Sequence, residues 1–254
     1  MTRMKLTLTI DWKKTYRCRQ NRLSQLQSAQ EYFNQFPVLK LNDGYKLLLE
    51  DFSTRFQEKT QNKSIYTIWP PLVPIIVQLG KEKKVLLPEL EWPEAKRDNE
   101  VNLILSLKVL SWLHLVTIRN HMQKRNFRPS KLESLESFLL HIQTIGELDT
   151  KIEERKSKAL LNKIGLQPFM VCVGPINQVT FYVIVDSQKY VCENCLMALD
   201  LTLKIFFVLN LQYPPECKAV WQTVDQLLYK LENDIDSNAS SVLSDIEKKL
   251  NKIE

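Results

Sequence analysis

The hydrophobic period of this chain changes near residue 167, and that change sets the expected fold class. Most of the chain repeats apolar residues at helical spacing, whereas residues 169–173 form a continuous apolar run and residues 180–192 are rich in aromatic and β-branched residues, both of which are typical of strands. Gly174 and Pro175 separate these runs, and residues 186–189 predict a hairpin turn. We therefore expect an α+β fold, predominantly helical, with a small antiparallel β-meander near residues 167–192 that the two following helices clasp.

Three further segments carry clear helix signals. Residues 19–33 repeat apolar side chains at helical spacing, and residues 101–118 are apolar nearly all round, as expected of a central core helix. Ser130 and Glu133 have the spacing of a capping box, which predicts a helix that presents one apolar face as far as Ile142. A fourth helix is predicted over residues 147–165, because the segment begins acidic, ends basic and closes on glycine.

Prolines divide the first half of the chain. Pro70 and Pro71 suit the start of a helix, but Pro74 must share its first turn or break it, and Gly80 is a plausible C-cap. The expected organisation has four parts: an N-terminal helical region with a basic arm (1–86), a linker or long loop (87–100), a helical and β-meander core (101–231), and a polar linker with a short amphipathic helix (232–254).

All of the formal net charge of +6 lies in the first 30 residues. They contain seven Lys or Arg residues and one acid, whereas the rest of the chain balances 28 basic residues with 28 acidic ones. Basic residues interleaved with aromatic ones can pair with phosphates and stack on bases, although a merely solvated surface has the same composition. The candidate nucleic-acid-binding residues are Trp12, Lys13, Lys14, Tyr16, Arg17, Arg19 and Arg22.

A second candidate surface lies at the C-terminus. An amphipathic helix is expected from Ser237 onward, with Leu243, Ile246, Leu250 and Ile253 on one face, and Val242 as an alternative to Leu243. Such a short helix is not stable alone, so its apolar face must dock on this chain or on a partner.

The five cysteines include one CxxC pair, Cys192 and Cys195. A structural zinc site needs four ligands, usually from a second short-spaced pair, and the remaining Cys172 and Cys217 fall in apolar core patterns. The pair also follows a meander, whereas a thioredoxin-type pair follows an early strand of a βαβ unit. We therefore expect neither a metal site nor a redox pair.

Catalytic and cofactor motifs are also missing from the sequence. The chain has five glycines and contains no GxGxxG, GxxxxGK[ST] or GxSxG, which supply the backbone for phosphate cradles and nucleophile elbows. His114 and His121 are seven residues apart on one expected helix, but no acid or cysteine joins them at ligand spacing, and His141 lies in another helical segment. We predict a protein that is not an enzyme and uses no cofactor.

Membrane and secretory signals are weak. The longest apolar stretch begins at Leu196 and is interrupted by Asp200 and Lys204, and the N-terminal apolar run is too short for a signal peptide. An odd number of scattered cysteines also argues against a disulfide scaffold. We expect a protein of the nucleus or cytoplasm with no membrane association.

Several segments resemble those of a family of uncharacterised, multicopy animal proteins derived from mobile elements. The most specific are "QPF" before a strand and Gly174, "VD" followed by Tyr190, "ALDLTLKIFFVLN", and "YPPEC" leading to Trp221; the resemblance extends over about residues 15–231. It implies a non-enzymatic, intracellular protein, and it makes Cys217 a packing residue. This chain lacks the zinc-finger segment of many members, which weakens any inference of sequence-specific DNA binding.

Together these features favour a non-enzymatic protein-interaction or assembly module, with a protein partner or self-association. The alternative is a nucleic-acid-binding adaptor that uses the basic N-terminal arm. An interaction module should expose an apolar surface, whereas an adaptor should expose a continuous basic one.

Overall fold

The computed structural model describes residues 3–26, 28–114, 118–120, 125–161 and 165–252. Their helices are α1 Arg3–Lys14, α2 Tyr16–Leu23, α3 Ala29–Gln35, α4 Tyr45–Thr60, α5 Ile65–Glu82, α6 Asn99–Leu113, α7 Lys131–Phe138, α8 Gly146–Leu161, α9 Cys195–Val208, α10 Lys218–Leu228 and α11 Ser237–Leu250. Their strands are β1 Ile118–Asn120, β2 Arg125–Phe127, β3 Leu139–Ile142, β4 Phe169–Val173, β5 Thr180–Val185 and β6 Gln188–Cys192. The predicted α+β, mostly helical fold is confirmed.

The main sheet has four strands in the order β3-β4-β5-β6. The predicted meander corresponds to β4, β5 and β6, which pair antiparallel, but β3 adds a parallel strand beside β4 that was not predicted. The helix expected to reach Ile142 stops at Phe138, because Leu139 turns into extended backbone and residues 139–142 pair with β4. A short apolar run suits either structure, and pairing with a buried strand decides it.

Helices cover both faces of this sheet. Met170 and Cys172 of β4 face the main core, which includes much of α9, whereas Phe169 and Val171 face a smaller core with Leu148 of α8. The prediction that the two following helices clasp the meander is therefore right for α9 and wrong for α10. The helices that cover the two faces are α9 and α8, while α10 packs against α5 and α11.

One hydrophobic cluster runs from Trp12 to Ile246 and contains residues of all four predicted regions. Leu87 and Leu90, in the segment expected to be a linker, are buried in it. Gly80 lies inside α5 rather than at its C-cap, and a Cβ atom there would lie 2.7 Å from Val109 Cγ1 of α6. The missing side chain allows close packing of α5 on α6.

Helix α5 contains Pro70, Pro71 and Pro74 and continues through all three, contrary to the sequence prediction. Three prolines remove three helical hydrogen bonds, but the opposite face of α5 buries Trp69, Leu72 and other apolar side chains that hold the helix in place. Two further predicted helices also differ. The helix expected over residues 19–33 is split by a new N-cap at Ser28, and α6 ends at Leu113 rather than near residue 118.

Among the described residues, no helix is long and apolar enough to cross a membrane.

Candidate functional site

The predicted basic arm is a pair of helices docked on α4. The Trp12 indole is buried and donates a hydrogen bond to the Leu47 carbonyl at 3.1 Å. The Arg19 guanidinium is 2% exposed, pairs with the buried Asp51 carboxylate and stacks on Trp12. Trp12 and Arg19 are therefore removed from the predicted nucleic-acid-binding residues, because neither side chain reaches the surface.

The other five residues of that set lie at or near the surface. Lys13 pairs with Glu50 at 2.8 Å, and Lys14 lies 3.7 Å from Asp11, so acids already sit beside two of the cations. Tyr16 is half-buried, whereas Arg17 and Arg22 are exposed. These cations lie on two consecutive helices, and the nucleic-acid prediction now depends on them.

The apolar stripe of α11 is occupied by the chain itself. Leu243 and Ile246 are buried, and the half-buried Leu250 packs against the main core. Ion pairs of α11 with Lys83 and with Glu82 also fix the helix beside α5. Of the two docking alternatives, the structure has the helix docked on this chain, so Leu243 and Ile246 have no free surface for a partner, while Leu250 keeps part of its surface exposed. Ile253 lies outside the described residues.

The CxxC pair lies where the sequence places it, with Cys192 ending β6 and Cys195 beginning α9. Both side chains are buried, and burial raises the pKa of the Cys192 thiol to about 12 and that of Cys195 well above its usual value. Metal binding and redox attack both need a thiolate, which these sites disfavour. Across the part of the chain that the structure describes, no three His, Cys, Asp or Glu side chains are grouped as metal ligands.

His114 directly follows α6 and is buried. Its Nδ1–H donates to the Leu110 carbonyl at 2.8 Å, and its Nε2 lies 2.9 Å from the Thr223 hydroxyl oxygen. Burial lowers the pKa of His114 to about 4, so the ring is neutral and structural. His121 lies outside the described residues, and His141, on β3, donates from Nε2 to the Gly174 carbonyl at 2.7 Å.

A groove of about 880 Å³ separates α5 from the start of α6 and the end of α11. We call it the α5–α6 groove. It is lined by Pro70, Val73, Pro74, Ile75, Val77, Gln78, Lys81, Glu94, Arg97, Asn99, Asn102, Leu103, Lys249 and Lys252. Its volume falls within the range of ligand-binding clefts.

One wall of the groove is a face of α5. Pro70, Val73, Pro74 and Val77 recur every three or four residues, so they form a continuous apolar strip that ends at Lys81. Pro74 has no N–H to donate to the carbonyl of Pro70, four residues earlier. The strip therefore carries a backbone acceptor without its usual helical donor, as well as apolar surface.

The opposite wall contains Arg97, between a 3-10 turn and the N-cap of α6. Its side chain is 2% exposed, yet its Nε and Nη1 atoms are buried without a hydrogen-bond partner. Its remaining nitrogen, Nη2, lies 3.7 Å from Glu94 Oε1. Burying donors without partners costs about 1–3 kcal/mol, and more for a charged group, so this arrangement calls for a ligand or another compensation.

The charges around the groove are unbalanced. Among the described residues that line it, four are cationic, namely Arg97, Lys81, Lys249 and Lys252, and one, Glu94, is acidic. Lys249 pairs with Glu82 at 2.7 Å, which leaves Arg97, Lys81 and Lys252 with the single lining carboxylate of Glu94. The groove thus combines an apolar strip with a basic end, which suits a ligand that is apolar along its length and carries a negative group.

A smaller cleft of about 220 Å³ lies between α7 and α8. It also contains a guanidinium, that of Arg155, but this group donates to the Glu136 carbonyl and stacks 4.0 Å from the centre of the Phe169 ring. Because Arg155 is already bonded, this cleft makes a weaker case for a ligand than the α5–α6 groove does.

Comparison of the chain with protein-family models, curated proteins and solved structures finds no match. The resemblance described from the sequence therefore stays a prediction, and function must be argued from the groove itself.

Proposed function

We propose that this chain is a non-enzymatic protein-interaction or assembly module that binds a protein partner in the α5–α6 groove. The observation that carries the proposal is the Arg97 side chain, whose buried Nε and Nη1 have no partner inside the protein. Buried polar groups in folded proteins are nearly always hydrogen-bonded. Other described residues also carry buried polar atoms without a partner, but of these Arg97 is the one that lines the α5–α6 groove, where a bound partner can supply an acceptor.

A peptide fits this groove better than a reacting substrate does. The described lining residues include no Ser, Thr, Cys or His, so within this part of the chain the groove offers no hydroxyl or thiol nucleophile and no imidazole base. The α5 strip, by contrast, offers apolar surface that matches the apolar side chains of a peptide. We place this activity in the nucleus or cytoplasm, because all five cysteines are free thiols.

The test is affinity purification from nuclease-treated extract with wild type and two matched variants. Val73→Lys adds bulk and charge to the centre of the apolar strip, whereas Leu132→Lys makes the same kind of change at an exposed site on α7. We expect protein partners that bind wild type and Leu132→Lys to be lost from a folded Val73→Lys. Partners that persist on Val73→Lys would show that the groove is not the interaction surface.

The basic face of α1 and α2 supports a second candidate, a nucleic-acid-binding adaptor. The exposed cations Arg17 and Arg22 lie on α2, near Lys14 at the end of α1. Phosphate contacts from such a surface give affinity without sequence selection. The nuclease treatment separates the two candidates, because partners held through nucleic acid are released by it.

A further inference from the structure

The basic end of the α5–α6 groove already holds one carboxylate, but loosely. Glu94 Oε1 lies 3.7 Å from Arg97 Nη2 and 3.8 Å from Lys81 Nζ. Charge-assisted hydrogen bonds between such groups are about 2.7–2.9 Å long, so Glu94 lies between two cations without bonding either. Its side chain is 85% exposed, and exposed ion pairs contribute little to stability.

From this geometry we infer that Glu94 occupies the place of a carboxylate supplied by the partner. The ligand of the groove is a peptide segment in which an Asp or Glu side chain displaces Glu94 and bonds Arg97 and Lys81, while neighbouring apolar residues lie on the strip from Pro70 to Val77. This inference rests on the proposed function, because it identifies what the same groove binds.

Three features of the groove support an acidic segment with apolar neighbours. The orphan nitrogens of Arg97 are donors, so they require an acceptor, and a guanidinium prefers a planar carboxylate or a phosphate. Lys81 adds a second cation next to the apolar strip rather than at a distance from it. Glu94 shows that a carboxylate on a flexible side chain reaches this position.

Displacement also explains why the site can be filled at little cost. Glu94 belongs to a short exposed turn of residues 94–96, and its departure breaks no bond within hydrogen-bonding distance. The partner carboxylate gains charge-assisted bonds in a partly buried site, where they are stronger than in water. Glu94 keeps the basic end partly neutralised until the partner arrives, and it acts as a weak competitor.

The experiment selects ligands with the full-length chain and a phage-displayed library of random 12-residue peptides. A recovered peptide is synthesised with a fluorophore, together with a twin in which each Asp is replaced by Asn and each Glu by Gln. Fluorescence anisotropy then gives the Kd of both peptides for wild type, Arg97→Met, Glu94→Gln, Val73→Lys and the control Leu132→Lys, each checked for folding by thermal denaturation.

We expect selected peptides that contain an acid beside apolar residues. The amide twin and the Arg97→Met variant should each weaken binding by at least about tenfold, since hydrogen bonds to charged groups are worth about 1.5–3 kcal/mol. Glu94→Gln should tighten binding by about two- to fivefold, because it removes the competitor. If Arg97→Met fails to fold, the amide twin and Glu94→Gln still decide the question.

The two proposals fail differently. Peptides that need Val73 but bind Arg97→Met and the amide twin at unchanged affinity would overturn the carboxylate inference and leave the groove as an interaction site. Peptides indifferent to Val73→Lys, or a selection that enriches none, would overturn both. Binding that weakens on Glu94→Gln would show that Glu94 contacts the peptide, contrary to its role as a competitor.

Discussion

If Arg97 is kept for binding rather than for folding, replacing it should make the free protein more stable. The test substitution is Arg97→Met, which keeps the length and apolar stem of the side chain but removes the buried guanidinium. Two of its nitrogens, Nε and Nη1, have no hydrogen-bond partner, and Nη2 has only the distant carboxylate of the exposed Glu94.

The magnitude follows from these contacts. Removing unsatisfied buried donors recovers about 1–3 kcal/mol, and the lost pair with Glu94 costs at most about 1 kcal/mol. We therefore expect the free energy of unfolding of Arg97→Met to rise by about 1–2 kcal/mol, which corresponds to roughly 2–4 °C in Tm per kcal/mol for a protein of this size. Natural binding sites often carry this conflict between stability and function.

The assay is urea denaturation followed by circular dichroism, with Arg155→Met as the matched control. The Arg155 guanidinium donates to the Glu136 carbonyl and stacks on Phe169, so its removal should lower stability. A loss of about 1 kcal/mol or more in Arg97→Met would refute the reasoning, since it would mean that the guanidinium is already satisfied in the free protein.

Four further outcomes can be measured. Arg19→Met should lower the free energy of unfolding by about 3–5 kcal/mol at pH 7.5, because it leaves the Asp51 carboxylate buried and unpaired. Adding Asp51→Leu should recover most of that loss. If the double variant instead shows the sum of the two single losses, Arg19 and Asp51 do not stabilise the fold as a pair. The same Arg19→Met penalty should shrink at pH 5, because burial raises the pKa of Asp51 to about 6 and a protonated carboxyl no longer needs the guanidinium. The pKa of His114 is about 4 in the folded state, below its usual 6.5, so the unfolded chain binds more protons between these pH values. The free energy of unfolding should therefore fall by about 3 kcal/mol as the pH drops from 6.5 to 4. His114→Asn should remove this part of the pH dependence of stability, and an unchanged pH dependence would contradict the buried, neutral state of His114. If nucleic acid binds to α1 and α2, replacing Lys14, Arg17 and Arg22 together by Ala should reduce the slope of log K against log salt in a salt titration. The expected reduction is about 0.7 per lost phosphate contact on a single strand and about 0.9 on a duplex. An unchanged slope would place the contacts elsewhere.

The sequence predicted best those elements whose signals are local. The capping box of Ser130 and Glu133 forms both of its hydrogen bonds at the start of α7. The strand-like segments at residues 169–173 and 180–192 become β4, β5 and β6, and the charge pair of Asp200 and Lys204 forms within α9 at 2.6 Å. Each of these signals depends on residues that are close together in the chain, so the sequence alone contains most of the information that decides it.

The errors arose where a distant partner decides the outcome. Residues 139–142 have a pattern that fits the end of a helix, but in the fold they form backbone hydrogen bonds with β4. The prolines of α5 are tolerated inside the helix because its other face packs into the core. A linear charge count could not show that Asp51 lies against Arg19, or that Glu50 lies against Lys13. The apparent arm is therefore a docked pair of helices.

The α5–α6 groove could not be predicted from the sequence for the same reason. Arg97 belongs to a polar, proline-containing segment that reads as a linker, and only the folded chain shows that its side chain is buried. Its orphan nitrogens are a property of three-dimensional packing, with no counterpart in composition or spacing. A sequence signal was available only on α5, where Pro70, Val73, Pro74 and Val77 share a face once prolines are allowed inside the helix.

The C-terminal helix connects these observations. Its apolar stripe, with Val242, Leu243 and Ile246, is buried against the rest of the chain, and this docking places Lys249 and Lys252 at the rim of the α5–α6 groove. A partner that binds the groove therefore meets the basic end of α11 rather than its apolar face. Because Lys249 and Lys252 line the groove only while α11 is docked, a ligand that binds the complete groove should also make the docking of α11 more stable.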